Sequence, residues 1–161
     1  MADNPFTQPH TVNRALVARS EPEVMRGANW FWWIAGLSLV NTVMIHSGSE
    51  TSFVVGLGFT MFADVMFKGH KFIAFGIDAV ALGVIIGLGF FSRQGHFWAF
   101  VTGIVLYTLD ALLYLYLGEI MPVAFHGLAL FYMFRGAKRL REALREAAVP
   151  APPPPVQAVA G

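Results

Sequence analysis

Asp64, Asp78, Asp110 and His126 are the residues of this sequence best suited to chemistry, because each sits within a run of apolar residues where an ionisable group is costly. Carboxyls and an imidazole in such surroundings can exchange protons or strip water from a cation, with the histidine titrating near neutral pH. Asn41 and Tyr107 add an amide and a hydroxyl on polar helix faces, giving six candidates for a proton or cation path. The three carboxyls and one imidazole also form an oxygen-rich set that suits manganese, magnesium or calcium better than structural zinc, so a divalent cation is a possible cofactor of a metal-dependent membrane hydrolase. A third reading is structural: the same groups hydrogen-bond one another and hold helices in one arrangement, with each such bond averaging about 0.6 kcal/mol. An unpaired aspartate at mid-membrane costs about 2.5 to 3.5 kcal/mol, so three approach ~10 kcal/mol if summed. Each is therefore expected to carry a proton or to pair with His126, Lys68 or a bound cation.

The elements that must position these residues are membrane helices. The chain is 56% hydrophobic and only 13% charged, against roughly 25% charged in an ordinary soluble domain. The charges fall at the two ends and in short joints, which leaves nearly charge-free apolar blocks between them. The expected fold is an all-α integral membrane protein, a bundle of four to five transmembrane helices with a basic C-terminal helical extension. With no cysteine, disulfides, thiolate metal sites and cysteine nucleophiles are excluded. HExxH, GxSxG and other local catalytic signatures are absent, so no catalytic residue is assigned and an enzyme is not the expectation.

Residues 1–27 read as a mobile polar tail with a short helix near 13–19. A first span at 28–46 opens on Trp30, Phe31, Trp32 and Trp33, placed as headgroup anchors. Ser38, Asn41 and Thr42 give it one polar face. The second segment, 53–67, is short, about 22 Å against a core of about 30 Å. Val54, Val55, Gly56, Leu57 and Gly58 are similar to the TVGYG filter pattern of potassium channels. No pore helix precedes them, so the glycines are read as close-packing positions. A third helix, 72–91, carries Gly76, Gly83 and Gly87 on one face and Asp78 on the other, which predicts a central position with neighbours on both sides. The fourth, 97–117, places Gly103, Tyr107, Asp110 and Tyr114 on one face, with Trp98 as an anchor. The fifth, 120–134, starts near Pro122 and carries His126. It continues into a basic amphipathic helix, 135–148, whose Ala137, Leu140, Leu144 and Ala147 form a stripe suited to a membrane surface. Its Arg135, Lys138, Arg139, Arg141 and Arg145 are expected to meet anionic lipid headgroups rather than nucleic acid. The Pro-rich tail, 149–161, is read as mobile and as a possible contact for a protein partner.

Basic residues set the topology. Alternate crossing by all five segments divides the eleven Lys and Arg about six to five, against the positive-inside tendency. If one short segment fails to cross, the split becomes about nine to two or ten to one. Four full spans plus a short or re-entrant 53–67 are therefore expected, with both termini inside, in a bacterial inner membrane. Asp64, Asp78, Asp110 and His126 then share one depth, on the order of 10 Å in at 1.5 Å per residue.

Overall fold

The computed structural model describes residues 12–46, 57–58 and 71–149. Among them are five helices and no strand: α1 (Arg14–Ser20), α2 (Pro22–His46), α3 (Lys71–Arg93), α4 (Phe97–Tyr116) and α5 (Ile120–Ala147). Phe75–Arg93 within α3, α4 and α5 are each long and apolar enough to cross a membrane. Asp64 and Lys68 lie outside the described residues, as do 1–11 and 150–161.

Local chemistry sets each boundary. Asn13 caps α1 by accepting the Leu16 N–H at 3.2 Å. Pro22 opens α2, where its fixed φ suits the first turn and its missing N–H would have had no helical partner. The first long helix thus begins six residues before the expected position 28. The short helix expected near 13–19 is α1, while residues 22–27, expected as part of a mobile tail, belong to α2, and Ala18 and Val24 are fully buried. Average polarity concealed a pattern in which the small apolar residues turn inward while Arg19 and Arg26 stay exposed.

α3 and α4 end alike. Gly95 and Gly118 each adopt φ +80°, a left-handed conformation that glycine takes without a Cβ penalty. After α3, the Gly95 N–H reaches the Ser92 carbonyl and the His96 N–H the Phe91 carbonyl, both at 3.1 Å. After α4, Gly118 and Glu119 make the equivalent bonds to Leu115 and Tyr114, at 3.2 and 3.0 Å. These tight reversals make α3–α4 and α4–α5 antiparallel neighbours.

The four long helices form a ring in which α2 packs against α3 and α5, and α4 packs against the same two. α2 and α3 are antiparallel: Phe31 meets Gly89 near one end, and Thr42 meets Asp78 near the other. Residues 46 and 71 therefore lie at the same end of the bundle. Between them in sequence, Leu57 and Gly58 are buried inside it.

Gly58 packs closely as expected, against Tyr114, but the close approaches between helices occur at glycines other than those expected on α3. A Cβ on Gly27 of α2 would lie 2.8 Å from the Tyr132 carbonyl oxygen and 3.0 Å from the Gly136 Cα of α5. Phe31 fills the space that side chains on Gly89 and Gly103 would need, with its Cβ at the first and its ring at the second. Gly76, Gly83 and Gly87, by contrast, face open space. Spacing marks a smooth face, but a neighbour's ring decides which face is used. The anchor assignment is likewise corrected: Phe31 is core, and Trp30 stacks on Tyr132 (centroids 5.4 Å apart, planes at 13°), leaving Trp32 and Trp33 facing outward.

The C-terminal half of α5 also departs from expectation. Ala137, Leu140 and Ala143 are buried, packed against α1 and the start of α2, so the stripe is not free to lie on a membrane. Charge pairs cross the same contact. Arg139 grips Glu21 through Nε and Nη2, each at 2.9 Å, and Glu146 through Nη1 at 3.1 Å. Arg135 pairs with Glu23.

Candidate functional site

The site lies where α4 and α5 face each other, toward the end of the bundle opposite α1. Buried positions on α4 are Ala99, Phe100, Gly103, Tyr107, Asp110 and Tyr114, steps of three and four that make one helical face. On α5, Pro122, His126, Ala129 and Met133 repeat the same spacing. The reversal at Gly118 sets the two faces in register, so Asp110 meets His126.

The geometry of that pair limits where its protons reside. His126 is completely buried and Asp110 is 6% exposed. His126 Nδ1 lies 2.7 Å from the Pro122 carbonyl oxygen. A carbonyl only accepts, so Nδ1 carries a hydrogen and donates it. On the other side, Nε2 lies 2.8 Å from Asp110 Oδ2, and one proton occupies that gap. If it sits on nitrogen, the pair is imidazolium and carboxylate; if on oxygen, both partners are neutral. Moving it between them needs no rearrangement of the ring, because the Nδ1 bond is the same in both forms. Asp110 Oδ2 also accepts the Gly58 backbone N–H at 2.9 Å.

Two tyrosines enclose the pair. The Tyr107 ring stacks on the imidazole, with centroids 4.1 Å apart and planes at 16°; Tyr114 sits at 5.3 Å, tilted by 56°. Gly58 is seated against Tyr114, where a Cβ would come within 2.7 Å of the ring. The Tyr107 hydroxyl is buried and has no hydrogen-bond partner among the described residues. A cavity of about 380 Å³ adjoins this group, walled by Tyr107 and Asp110 of α4, Ala81 and Ile85 of α3, and Leu57.

A second polar group lies between α2 and α3. Thr42 donates to Asp78 Oδ2 at 3.3 Å. Ser38 donates to the Ile34 carbonyl at 2.8 Å and accepts the Leu57 N–H at 3.3 Å. Asn41 is buried, and its Oδ1 has no partner among the described residues. Ser38, Thr42, Asp78 and Leu57 border a smaller cavity of about 80 Å³.

Of the six path candidates, Asp110, His126 and Tyr107 come together directly. Asp78 belongs to the second group, bonded to Thr42, and Asn41 is buried on α2. Sequence reasoning did not anticipate the Pro122 carbonyl or the Leu57 and Gly58 amides, since backbone groups leave no mark in side-chain spacing. Of the five basic residues assigned to lipid, Arg135, Lys138 and Arg139 have acidic partners within the chain. Arg141 lies over the Phe97 ring, 6.0 Å from its centroid. Arg145 is exposed. Glu21 first, and Glu146 second, hold the Arg139 guanidinium charged even more firmly than is usual for arginine.

No protein-family model, curated protein or solved structure matches the chain.

Proposed function

We propose that this protein is a multi-pass membrane protein that passes protons, or couples them to a cation, through the Asp110–His126 pair. The observation that carries the proposal is the pinned Nδ1: it leaves a single proton with two resting places, inside a buried site beside a cavity. Carboxylate and imidazole relays of this kind mark proton routes in membranes. Asp78, Asn41 and Thr42 supply oxygens for the cation that would accompany or exchange with the proton.

The proposed topology has four spans, α2 to α5, with residues 46 and 71 on one side. The antiparallel α2 and α3 and the buried Leu57 and Gly58 support it. So does charge: nine of the ten described Lys and Arg lie at the α1 end, with Lys71 at the other. We assign the α1 end to the cytoplasmic face of a bacterial inner membrane. Exposed Arg141, Arg145 and Lys138 there would meet anionic headgroups, and 149–161 would reach a protein partner. The hydrolase reading gains no support, because no three His, Asp or Glu among the described residues converge as ligands.

Reconstituted vesicles with a pH-sensitive dye and an imposed potential test the proposal. Asp110→Asn keeps the shape and one of the two hydrogen bonds made at Oδ2 but removes the ionisable group, and should lower proton flux about tenfold or more. Unchanged flux in a folded Asp110→Asn protein ends the proton-path proposal. A structural lock is the second reading, favoured by the way Asp110 joins α4, α5 and Gly58. It predicts that His126→Gln lowers the melting temperature while no vesicle, wild type included, carries protons.

A further inference from the structure

Among the described residues, the Leu57 side chain stands between the two polar groups. Leu57 borders the cavity of about 80 Å³ that holds Ser38, Thr42 and Asp78, and it also borders the cavity of about 380 Å³ that holds Tyr107 and Asp110. It is 6% exposed. Its backbone is fixed on both sides, by its own N–H to Ser38 Oγ on α2 and by the next N–H, from Gly58, to Asp110 Oδ2 on α4. Gly58 is wedged on Tyr114, which limits rotation there. The isobutyl group is thereby held between an acid on α3 and an acid on α4.

We propose that Leu57 is a hydrophobic partition that keeps water held in the smaller cavity from entering the larger, so that Asp78 and Asp110 exchange protons or ions only when that side chain is displaced. A cavity of about 80 Å³ exceeds the ~10 to 15 Å³ of probe volume that one water needs, and Ser38, Thr42 and Asp78 provide the polar partners that hold it. The larger cavity is walled mainly by aliphatic side chains, and an aliphatic constriction at its border blocks the entry of water by dewetting and needs no charge to do so. The amides on each side of the Leu57 side chain report to opposite clusters. A change of charge at Asp110 alters the hold on Gly58 and hence the position of Leu57.

The inference rests on the proton-path proposal for its consequence but not for its test. The sequence has no cysteine, so Ala81→Cys, in the wall of the larger cavity, is a unique thiol. In reconstituted full-length protein, a charged water-soluble methanethiosulfonate should modify it slowly. Adding Leu57→Ala should raise the rate about tenfold, because the aliphatic barrier to water is removed; Leu57→Phe should leave it slow. Equal rates in the Leu57 and Leu57→Ala backgrounds overturn the partition. If Leu57→Ala does not fold, Leu57→Val carries the same test with a smaller expected increase, and no increase overturns it equally. Proton flux separates the two proposals. Faster labelling with no flux in any variant upholds the partition and removes the proton path. Wild-type flux with labelling indifferent to Leu57 does the reverse.

Discussion

The half of the bundle nearest α1 and the half nearest residues 46 and 71 are built on opposite terms. Near α1, helices touch backbone to backbone at Gly27 and Gly136, and Phe31 fills the notch between Gly89 and Gly103. Ala28, Phe100 and Met133 are fully buried around it. In the other half, Ser38, Asn41, Asp78, Asp110 and His126 are all buried polar residues, and two cavities lie among them. Dense packing at one end fixes where the four helices stand. Groups at the other end can then be held in a looser, polar interior without the helices collapsing onto them. Buried polar groups stabilise weakly in a membrane, so a half made only of them would not define the bundle.

The comparison breaks first if the packed half proves dispensable. Phe31→Ala empties the notch at Gly103, while the Cβ against Gly89 remains, and should cost about 3 to 5 kcal/mol, read from unfolding in mixed micelles. Gly103→Val introduces atoms where the Phe31 ring lies and should cost about 1 to 3 kcal/mol. A Phe31→Leu change added to Gly103→Val should recover part of that loss. If each substitution costs less than half a kcal/mol, packing near α1 does not hold the bundle together.

The next effect belongs to the polar half. Asp110→Ala removes the partner of a buried imidazole and of the Gly58 N–H together. Each orphaned polar group costs about 1 to 3 kcal/mol, and the imidazole can remain neutral, so a total near 2 to 3 kcal/mol is expected. Asp110→Asn should cost less, since the amide still bonds one of the two groups. The surface network at Arg139 differs in kind from this pair. Its Glu21 and Glu146 contacts are partly exposed, and Arg139→Ala should produce a small melting shift that shrinks in 1 M salt, where the screening length is about 3 Å.

Much of this architecture is legible in the sequence. The face Gly103, Tyr107, Asp110, Tyr114 follows from helical spacing alone, and the glycine at 118 announces the reversal that brings His126 opposite Asp110. Depth counting predicts one group for Asp78 and Asp110, yet the described contacts place them in separate groups. Depth fixes one coordinate and leaves rotation about each helix axis open. Burial of Ala137 and Leu140 was hidden for another reason: an amphipathic stripe looks the same whether lipid or protein covers it. Only the α1 helix, joined through Arg139 to Glu21 across 118 positions, decides the matter. Leu57 and Gly58 act through backbone N–H groups, which no residue type reveals.

The choice of glycine face gives a smaller test with the opposite sign. Gly83 and Gly87 meet open space, so Gly83→Ala adds a methyl group without a clash and removes backbone entropy from the unfolded state. It should stabilise the bundle by about 0.5 to 1 kcal/mol. Loss of stability instead, or loss of a dimer in native mass spectrometry, would mean that another copy of the chain packs on that face. The contrast with Gly103→Val would then reflect two occupied faces rather than one.

The smallest expected change is Tyr107→Phe, and it bears most directly on the polar half. The hydroxyl is buried without a partner among the described residues, so its removal forfeits no bond within them and relieves a desolvated group. The ring remains to stack on His126. Stability should shift by less than about 0.5 kcal/mol in either direction. A loss above ~1 kcal/mol would place a bonded water or ligand on that oxygen in the cavity beside Asp110. If stability holds while proton flux in vesicles falls, the hydroxyl passes the proton between the cavity and the Asp110–His126 pair. If neither changes, the route bypasses Tyr107, whose contribution is then the flat surface that keeps the imidazole aligned with Asp110.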